Sequence, residues 1–113
     1  MISSNLTHPD FSRAVLTCDG VLLRHLVAAA LFWLEQHVEQ INALNVFPVP
    51  DGDTGTNMLL TLRAAHAAIA HETSAEIGVV AAKLAYGGLH GSRGNSGTVL
   101  SQLLNGIASV LRG

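Results

Sequence analysis

The sequence has few charged residues and a single cysteine. Of its 113 residues, 12% are charged, and the formal net charge is -2 with only six Lys and Arg. Because these basic residues are spread thinly and form no stripe, nucleic-acid binding has no electrostatic support. The lone thiol, Cys18, cannot form an internal disulfide, which fits a reducing compartment and a buried, unreactive side chain.

The sequence also lacks an apolar segment long enough to cross a membrane. Its longest apolar run is Leu26 to Leu34, whereas a spanning helix needs about 20 residues. Met1 to Asp10 lack the basic flank and apolar stretch of a signal peptide. We therefore expect a cytoplasmic protein without a transmembrane segment. Apolar residues make up 49% of the chain, enough for the core of a single domain over residues 1–113.

Helical periodicity dominates the pattern of apolar residues. No segment alternates with period two, and Pro48 and Pro50 interrupt the nearest strand candidate, residues 45–49. The middle of the helix predicted over Val21–Gln40 is apolar nearly all round, which predicts that this helix is buried on several sides. The fold class is therefore all-α, with four or five amphipathic helices. The first three predicted helices cover Phe11–Thr17, Val21–Gln40 and Asn57–His71. The fourth is capped by Thr73 and Glu76 and ends at Gly87-Gly88. The last runs from Asn95 or Ser96 almost to Gly113.

An acidic loop precedes the third of these helices. Asp51 and Asp53 are one residue apart, prolines stiffen the approach, and Gly52 and Gly55 permit tight turns. Mg2+ takes one or two carboxylates together with phosphate oxygens and water. The helix start that follows has free N–H groups and favours anions. The candidate metal ligands and phosphate donors are Asp51, Asp53, Thr54, Gly55, Thr56 and Asn57.

The acidic loop is open to two other interpretations. Asp-Gly-Asp is also compatible with an exposed turn followed by a helix cap. A calcium EF-hand loop needs Gly at its sixth position and an acid at its twelfth. Counted from Asp51, those positions hold Thr56 and Leu62, so the EF-hand interpretation fails.

Glycines recur at every third position before the last helix. Glycine lets a backbone approach a ligand closely, and the N–H groups of such a loop can hold phosphate. The P-loop lysine is absent, and a merely flexible connection is the alternative. Arg93 is either a phosphate contact or a surface residue. Two loops that each open a helix predict one ligand shared between them; the candidates in the second loop are Gly91, Ser92, Arg93, Gly94, Asn95 and Ser96.

Two long motifs carry a resemblance to a known family. Residues 41–58, INALNVFPVPDGDTGTNM, closely resemble the signature of DhaL-like domains. Residues 91–97, GSRGNSG, with the following VLSQL at 99–103, look like the second nucleotide loop of that family. The match is close to the ATP-binding subunit of bacterial fatty acid kinase, and dihydroxyacetone kinase subunits are similar but more distant.

The resemblance implies a barrel of antiparallel helices that holds ATP at one end. Two Mg2+ ions, held by acidic residues, would bridge the ATP phosphates. Asp51 and Asp53 match two of those acids. In dihydroxyacetone kinases a third Asp precedes these two. The nearest position here is Asn45, and its spacing from the pair is one residue longer. Thr54 to Asn57 match the phosphate contact, and Ser92 and Arg93 with their glycines match the second contact. The family's domain is longer, so this chain corresponds to its N-terminal part.

The resemblance also implies a reaction and a partner. Fatty acid kinase transfers the γ-phosphate of ATP to a fatty acid held by a DegV-like protein, and the product is an acyl phosphate. The alternatives are a dihydroxyacetone (glycerone) kinase-type subunit and a truncated, non-catalytic nucleotide-binding module. A homodimer is a further expectation.

Overall fold

The computed structural model of the protein describes residues 18–44 and 52–111, which are helical for most of their length. Four helices run Gly20–Ala43 (α1), Thr54–Ala67 (α2), Ile77–His90 (α3) and Gly94–Leu111 (α4). These two stretches contain no strand, which confirms the all-α prediction. The helix predicted over residues 11–17 lies outside the described residues. None of the described helices combines the length and the apolar character needed to span a bilayer.

The central pair of the bundle is α2 and α3, each of which packs against the other three helices. Helices α1 and α4 flank this pair and do not contact each other. The main core is built from apolar side chains of α1, α2 and α3 and from Ile69, which follows α2, with partly buried side chains of α4 packed against it. Its buried members are Val27, Leu34, Leu59, Leu62, Ala65, Ile69, Val80 and Leu84.

Helix α1 buries one side only, so the prediction of burial on several sides was wrong. Val27 and Leu34 are buried, whereas Leu26, Phe32 and Trp33 expose 52%, 64% and 57% of their surface. The reason is that α1 packs on α2 and α3 and has no neighbour on its outer face among the described helices. There the Trp33 ring stacks on His37, with ring centroids 3.8 Å apart.

The glycine pair expected to end α3 lies inside that helix, so this prediction was also wrong. A Cβ on Gly87 would lie 2.6 Å from Ala68 Cβ and 2.8 Å from the Ala64 carbonyl oxygen. Glycine is needed there because α3 approaches α2 too closely for a side chain. The helix continues to His90 and has Gly91 at its C-cap.

The segment before α3 is held by a different set of contacts from the predicted capping box. The N-cap is Glu76, whose side chain makes no cap hydrogen bond. Instead, Ser74 Oγ accepts from Glu76 N at 3.1 Å, and Glu72 Oε2 accepts from Ser74 N at 2.9 Å. Glu72 also pairs with Lys83. The Lys83 hydrogen bond, and then that of Ser74, hold the pKa of Glu72 below its usual value.

The apolar stripe predicted on the last helix is present but only partly covered. Helix α4 begins at Gly94, one or two residues before the predicted start at Asn95 or Ser96, and α2 begins at Thr54, three residues early. The inward side of α4 carries Gly97, Ser101 and Ala108, all buried. Its outward apolar side chains are exposed: Val99, Leu103, Ile107 and Val110.

Candidate functional site at the starts of α2 and α4

The acidic loop enters α2 through Gly52 and Asp53. Gly52 has a φ of 66°, in the left-handed region that favours glycine. Asp53 is the N-cap of α2, and its carbonyl oxygen accepts from Asn57 N at 2.9 Å. Its side chain is exposed and makes no cap hydrogen bond. The Asp53 carboxylate, an oxygen ligand of the kind Mg2+ prefers, is therefore not used to cap its own helix.

The other predicted metal ligands, Asp51 and Asn45, lie outside the described residues. Their convergence with Asp53 therefore stays a prediction. Within residues 18–44 and 52–111, no three His, Cys, Asp or Glu side chains come together as a metal site. One carboxylate at a helix start fits the sparse protein ligation of Mg2+, which usually keeps phosphate and water ligands.

Asn42, near the end of α1, holds the first turn of α2. Its Oδ1 accepts from Thr56 N at 3.1 Å, and its Nδ2 donates to Thr56 Oγ1 at 3.0 Å. Gly55 makes this approach possible, because a Cβ there would lie 2.6 Å from the Val38 carbonyl oxygen. The Thr56 N–H is thus occupied, and the hydroxyl, which accepts from Asn42, keeps its own proton for donation.

The glycine-rich segment divides into a helix end and a helix start. Ser92 Oγ donates to the Leu89 carbonyl oxygen at 3.2 Å, so Ser92 faces the end of α3. Arg93 precedes α4, since its carbonyl oxygen accepts from Gly97 N at 3.0 Å, and Gly94 has a φ of 66°. The first three N–H groups of α4, those of residues 94–96, have no acceptor within the helix and favour an anion.

The starts of α2 and α4 are in direct contact. Arg93 N donates to Thr61 Oγ1 at 3.0 Å. A Cβ on Gly94 would lie 2.4 Å from Asn57 Nδ2, and one on Gly97 would lie 2.2 Å from Thr61 Oγ1. The structure therefore brings Asn57, in the first turn of α2, next to Gly94 at the start of α4.

Gly91 has a packing role that its sequence position did not indicate. A Cβ on Gly91 would lie 2.2 Å from Ala64 Cβ, further along α2. Its lack of a side chain is therefore required by helix packing. The side chains of Arg93 and Asn95 are exposed, and Ser96 is half-buried.

Asn42 and Thr61 lie at the candidate site, although the sequence pattern did not indicate them. Asn42 lies within the conspicuous stretch 41–58, but nothing in its local pattern shows that it bonds to Thr56. Thr61 lies in the apolar part of α2, where a hydroxyl carries no recognisable motif. Only the packing of α1 and α4 on α2 reveals the two contacts.

The fold and site together define an all-α domain in which two loop-to-helix junctions lie side by side. Residues 48–113 match the model of the DAK2 domain. The match covers more than half of the chain and includes both junctions, so the chain belongs to the DAK2 domain family. This family is related to kinase subunits.

Several bacterial proteins are similar to this chain over most of its length. An uncharacterised protein of Staphylococcus saprophyticus is 42% identical over 93 residues, which cover 82% of this chain and 17% of the relative. Protein YloV of Bacillus subtilis is 42% identical over 95 residues, covering 84% of this chain and 17% of YloV. An uncharacterised protein of Staphylococcus epidermidis is 38% identical over 95 residues, with the same two coverages. The chain thus spans 17% of the length of these curated relatives.

Proposed function

We propose that the protein binds ATP and Mg2+ across the starts of α2 and α4, as the nucleotide-binding part of a phosphoryl-transfer enzyme. The observation that carries the proposal is the close approach of the two junctions, where a Cβ on Gly94 would lie 2.4 Å from Asn57 Nδ2. The start of α4 presents N–H donors to an anion, and the start of α2 presents the Thr56 hydroxyl. The DAK2 family match supports a role in a kinase system.

Each group of the site has a separate task. Bound Mg2+ would neutralise phosphate charge, with Asp51, Asp53 and Asn45 as its protein ligands. The Thr56 hydroxyl, oriented by Asn42, donates to a phosphate oxygen. The N–H groups of residues 94–96 and the exposed Arg93 side chain hold the phosphates from the other side. The remaining candidate contacts of the two loops are Thr54, Gly55, Asn57, Gly91 and Ser92.

For the whole protein we propose the role of a fatty acid kinase ATP-binding subunit in the cytoplasm. The carboxylate oxygen of a fatty acid held by a DegV-like partner attacks the γ-phosphorus, the bond to the β-phosphate oxygen breaks, and ADP leaves. The motifs at 41–58 and 91–97 support this proposal through their resemblance to that subunit. The DAK2 match equally favours a dihydroxyacetone kinase-type subunit. For the 113 residues alone, a non-catalytic nucleotide-binding module is favoured by the 17% coverage of the relatives.

Titration of the chain with ATP, with and without Mg2+, tests the proposed site. Asp51→Asn and Asp53→Asn each remove one negative charge, and we expect each to weaken Mg2+-dependent ATP binding at least about tenfold, the scale of one lost charged contact. Helix content, measured by circular dichroism, should not change, because the Asp53 side chain makes no cap hydrogen bond. Glu76→Gln is the matched control, an exposed carboxylate at the far end of α3 from the glycine-rich loop.

Normal Mg2+-dependent binding by both Asp variants would refute the metal assignment. Turnover is measured separately, by adding a fatty-acid-loaded DegV-like protein and following ADP release and acyl phosphate formation. Binding without turnover would support the non-catalytic module for this chain.

A further inference from the structure

Thr61 is a fully buried polar side chain in the middle of α2, where this helix meets the backbone that precedes α4. Its hydroxyl donates to the Asn57 carbonyl oxygen at 2.8 Å and accepts from Arg93 N at 3.0 Å. The other fully buried polar side chain in the described residues, Ser101, donates to the Thr98 carbonyl oxygen of its own helix. The Thr61 hydroxyl thus links α2 to the backbone that precedes α4, whereas the Ser101 bond stays within α4.

We propose that Thr61 is a positioning residue, which fixes the backbone of Arg93 and so directs the first-turn N–H groups of α4 at the nucleotide phosphates. This inference rests on the proposed ATP site. A hydroxyl has one proton and two lone pairs. Because the proton is given to Asn57, the lone pairs face Arg93 N, and the direction of the contact is fixed.

The backbone of α4 approaches α2 closely around Thr61. A Cβ on Gly97 would lie 2.2 Å from Thr61 Oγ1, and a Cβ on Gly94 would lie 2.4 Å from Asn57 Nδ2. Loss of the hydroxyl leaves Arg93 N without its acceptor, and such an N–H must find water or another partner. The loop then moves relative to α2, and the two sets of phosphate donors no longer keep their spacing.

The test compares Thr61→Val with Thr61→Ser in the full chain. Valine keeps the shape of threonine and removes the hydroxyl, whereas serine keeps the hydroxyl. We expect Thr61→Val to bind Mg-ATP about tenfold more weakly, the scale of one lost positioning hydrogen bond, and Thr61→Ser to stay within about twofold of wild type. Ser101→Ala is the matched control: it also removes a buried hydroxyl, and its ATP affinity should be unchanged well below its melting temperature.

Hydrogen exchange at the Arg93 amide gives a second measurement that does not require nucleotide. Exchange should be faster in Thr61→Val and near wild type in Thr61→Ser and Ser101→Ala. Should Thr61→Val fail to fold, Thr61→Cys keeps the volume with a weaker acceptor, and the same direction of change is expected.

The outcomes separate this inference from the proposed function. A wild-type chain that does not bind Mg-ATP overturns the proposed function, and the role of Thr61 falls with it. If the wild-type chain binds Mg-ATP and Thr61→Val, or Thr61→Cys in its place, binds it equally tightly, only the role of Thr61 is overturned. Equal losses in Thr61→Val and Ser101→Ala would also overturn it, because they would reflect general stability.

Discussion

The Asn42 amide determines which atoms of Thr56 remain for a ligand. Its oxygen faces the Thr56 N–H at 3.1 Å, so its nitrogen must face the hydroxyl, at 3.0 Å. The backbone donor, often the phosphate contact at a helix start, is therefore paired within the protein. The hydroxyl proton of Thr56 is left as the donor, and Asn42 sets its direction from a different helix.

Replacement of Asn42 tests this orienting contact. Asn42→Ala removes both hydrogen bonds, and we expect the free energy of unfolding to fall by about 1–2 kcal/mol, since water replaces them only in part. Urea denaturation measures the change. Gln36→Ala, which truncates an exposed amide on the same helix, should cost less than about 0.5 kcal/mol. Equal effects of the two substitutions would show that the Asn42 contact contributes nothing specific.

Local chemistry decided which site residues the sequence could identify. Asp53 and Thr56 stand out because a carboxylate, glycines and a hydroxyl sit together before a helix. Asn42 and Thr61 do not, because their partners are 14 and 32 positions away along the chain. Those contacts depend on how α1 and α4 pack against α2, and no short motif encodes that packing.

Helix α4 contains two interior glycines with opposite surroundings. A Cβ on Gly97 would lie 2.2 Å from Thr61 Oγ1 and 3.3 Å from the Asn57 carbonyl oxygen. A Cβ on Gly106 would meet no atom within 4 Å. The first glycine is required by the contact of α4 with α2, whereas the second has no packing reason within the described residues.

Alanine should lower the free energy of unfolding at Gly97 and raise it at Gly106. Gly97→Ala forces α4 away from α2, and we expect a loss of about 1–3 kcal/mol in the free energy of unfolding, typical of overpacking. Gly106→Ala should gain about 0.5–1 kcal/mol, because alanine favours the helix and meets no neighbour. Thermal and urea denaturation of both variants provide the test. A stable Gly97→Ala variant would contradict the close approach of the two helices.

A glycine inside a helix pattern can mark either a helix end or a close helix contact, which explains why the predicted end of α3 was wrong. In sequence, Gly87-Gly88 is compatible with a helix stop or with close packing. The structure selects packing, because Ala64 of α2 and Ala68, the C-cap of that helix, lie against Gly87. The starts of α2 and α4 were predicted to within three residues, since their loop chemistry is local.

The whole bundle has two flanking helices with uncovered apolar faces. Leu26, Phe32 and Trp33 of α1 are exposed, as are Leu103, Ile107 and Val110 of α4. These faces arise because α1 and α4 pack on the central pair from separate sides and do not contact each other. Periodicity predicted the stripe on α4, but it gave no indication of which part of the stripe faces inward.

Two adjacent leucines of α4 distinguish its inward and outward faces. Leu103 is 60% exposed, whereas Leu104 packs against the main core and approaches Gly88. We expect Leu103→Lys to change the free energy of unfolding by less than about 0.5 kcal/mol. Leu104→Lys should cost about 2–4 kcal/mol, because it removes an apolar contact and forces a charge toward the core. Urea denaturation of the two variants measures both values; a similar large loss in each would mean that the outer face of α4 is covered in solution.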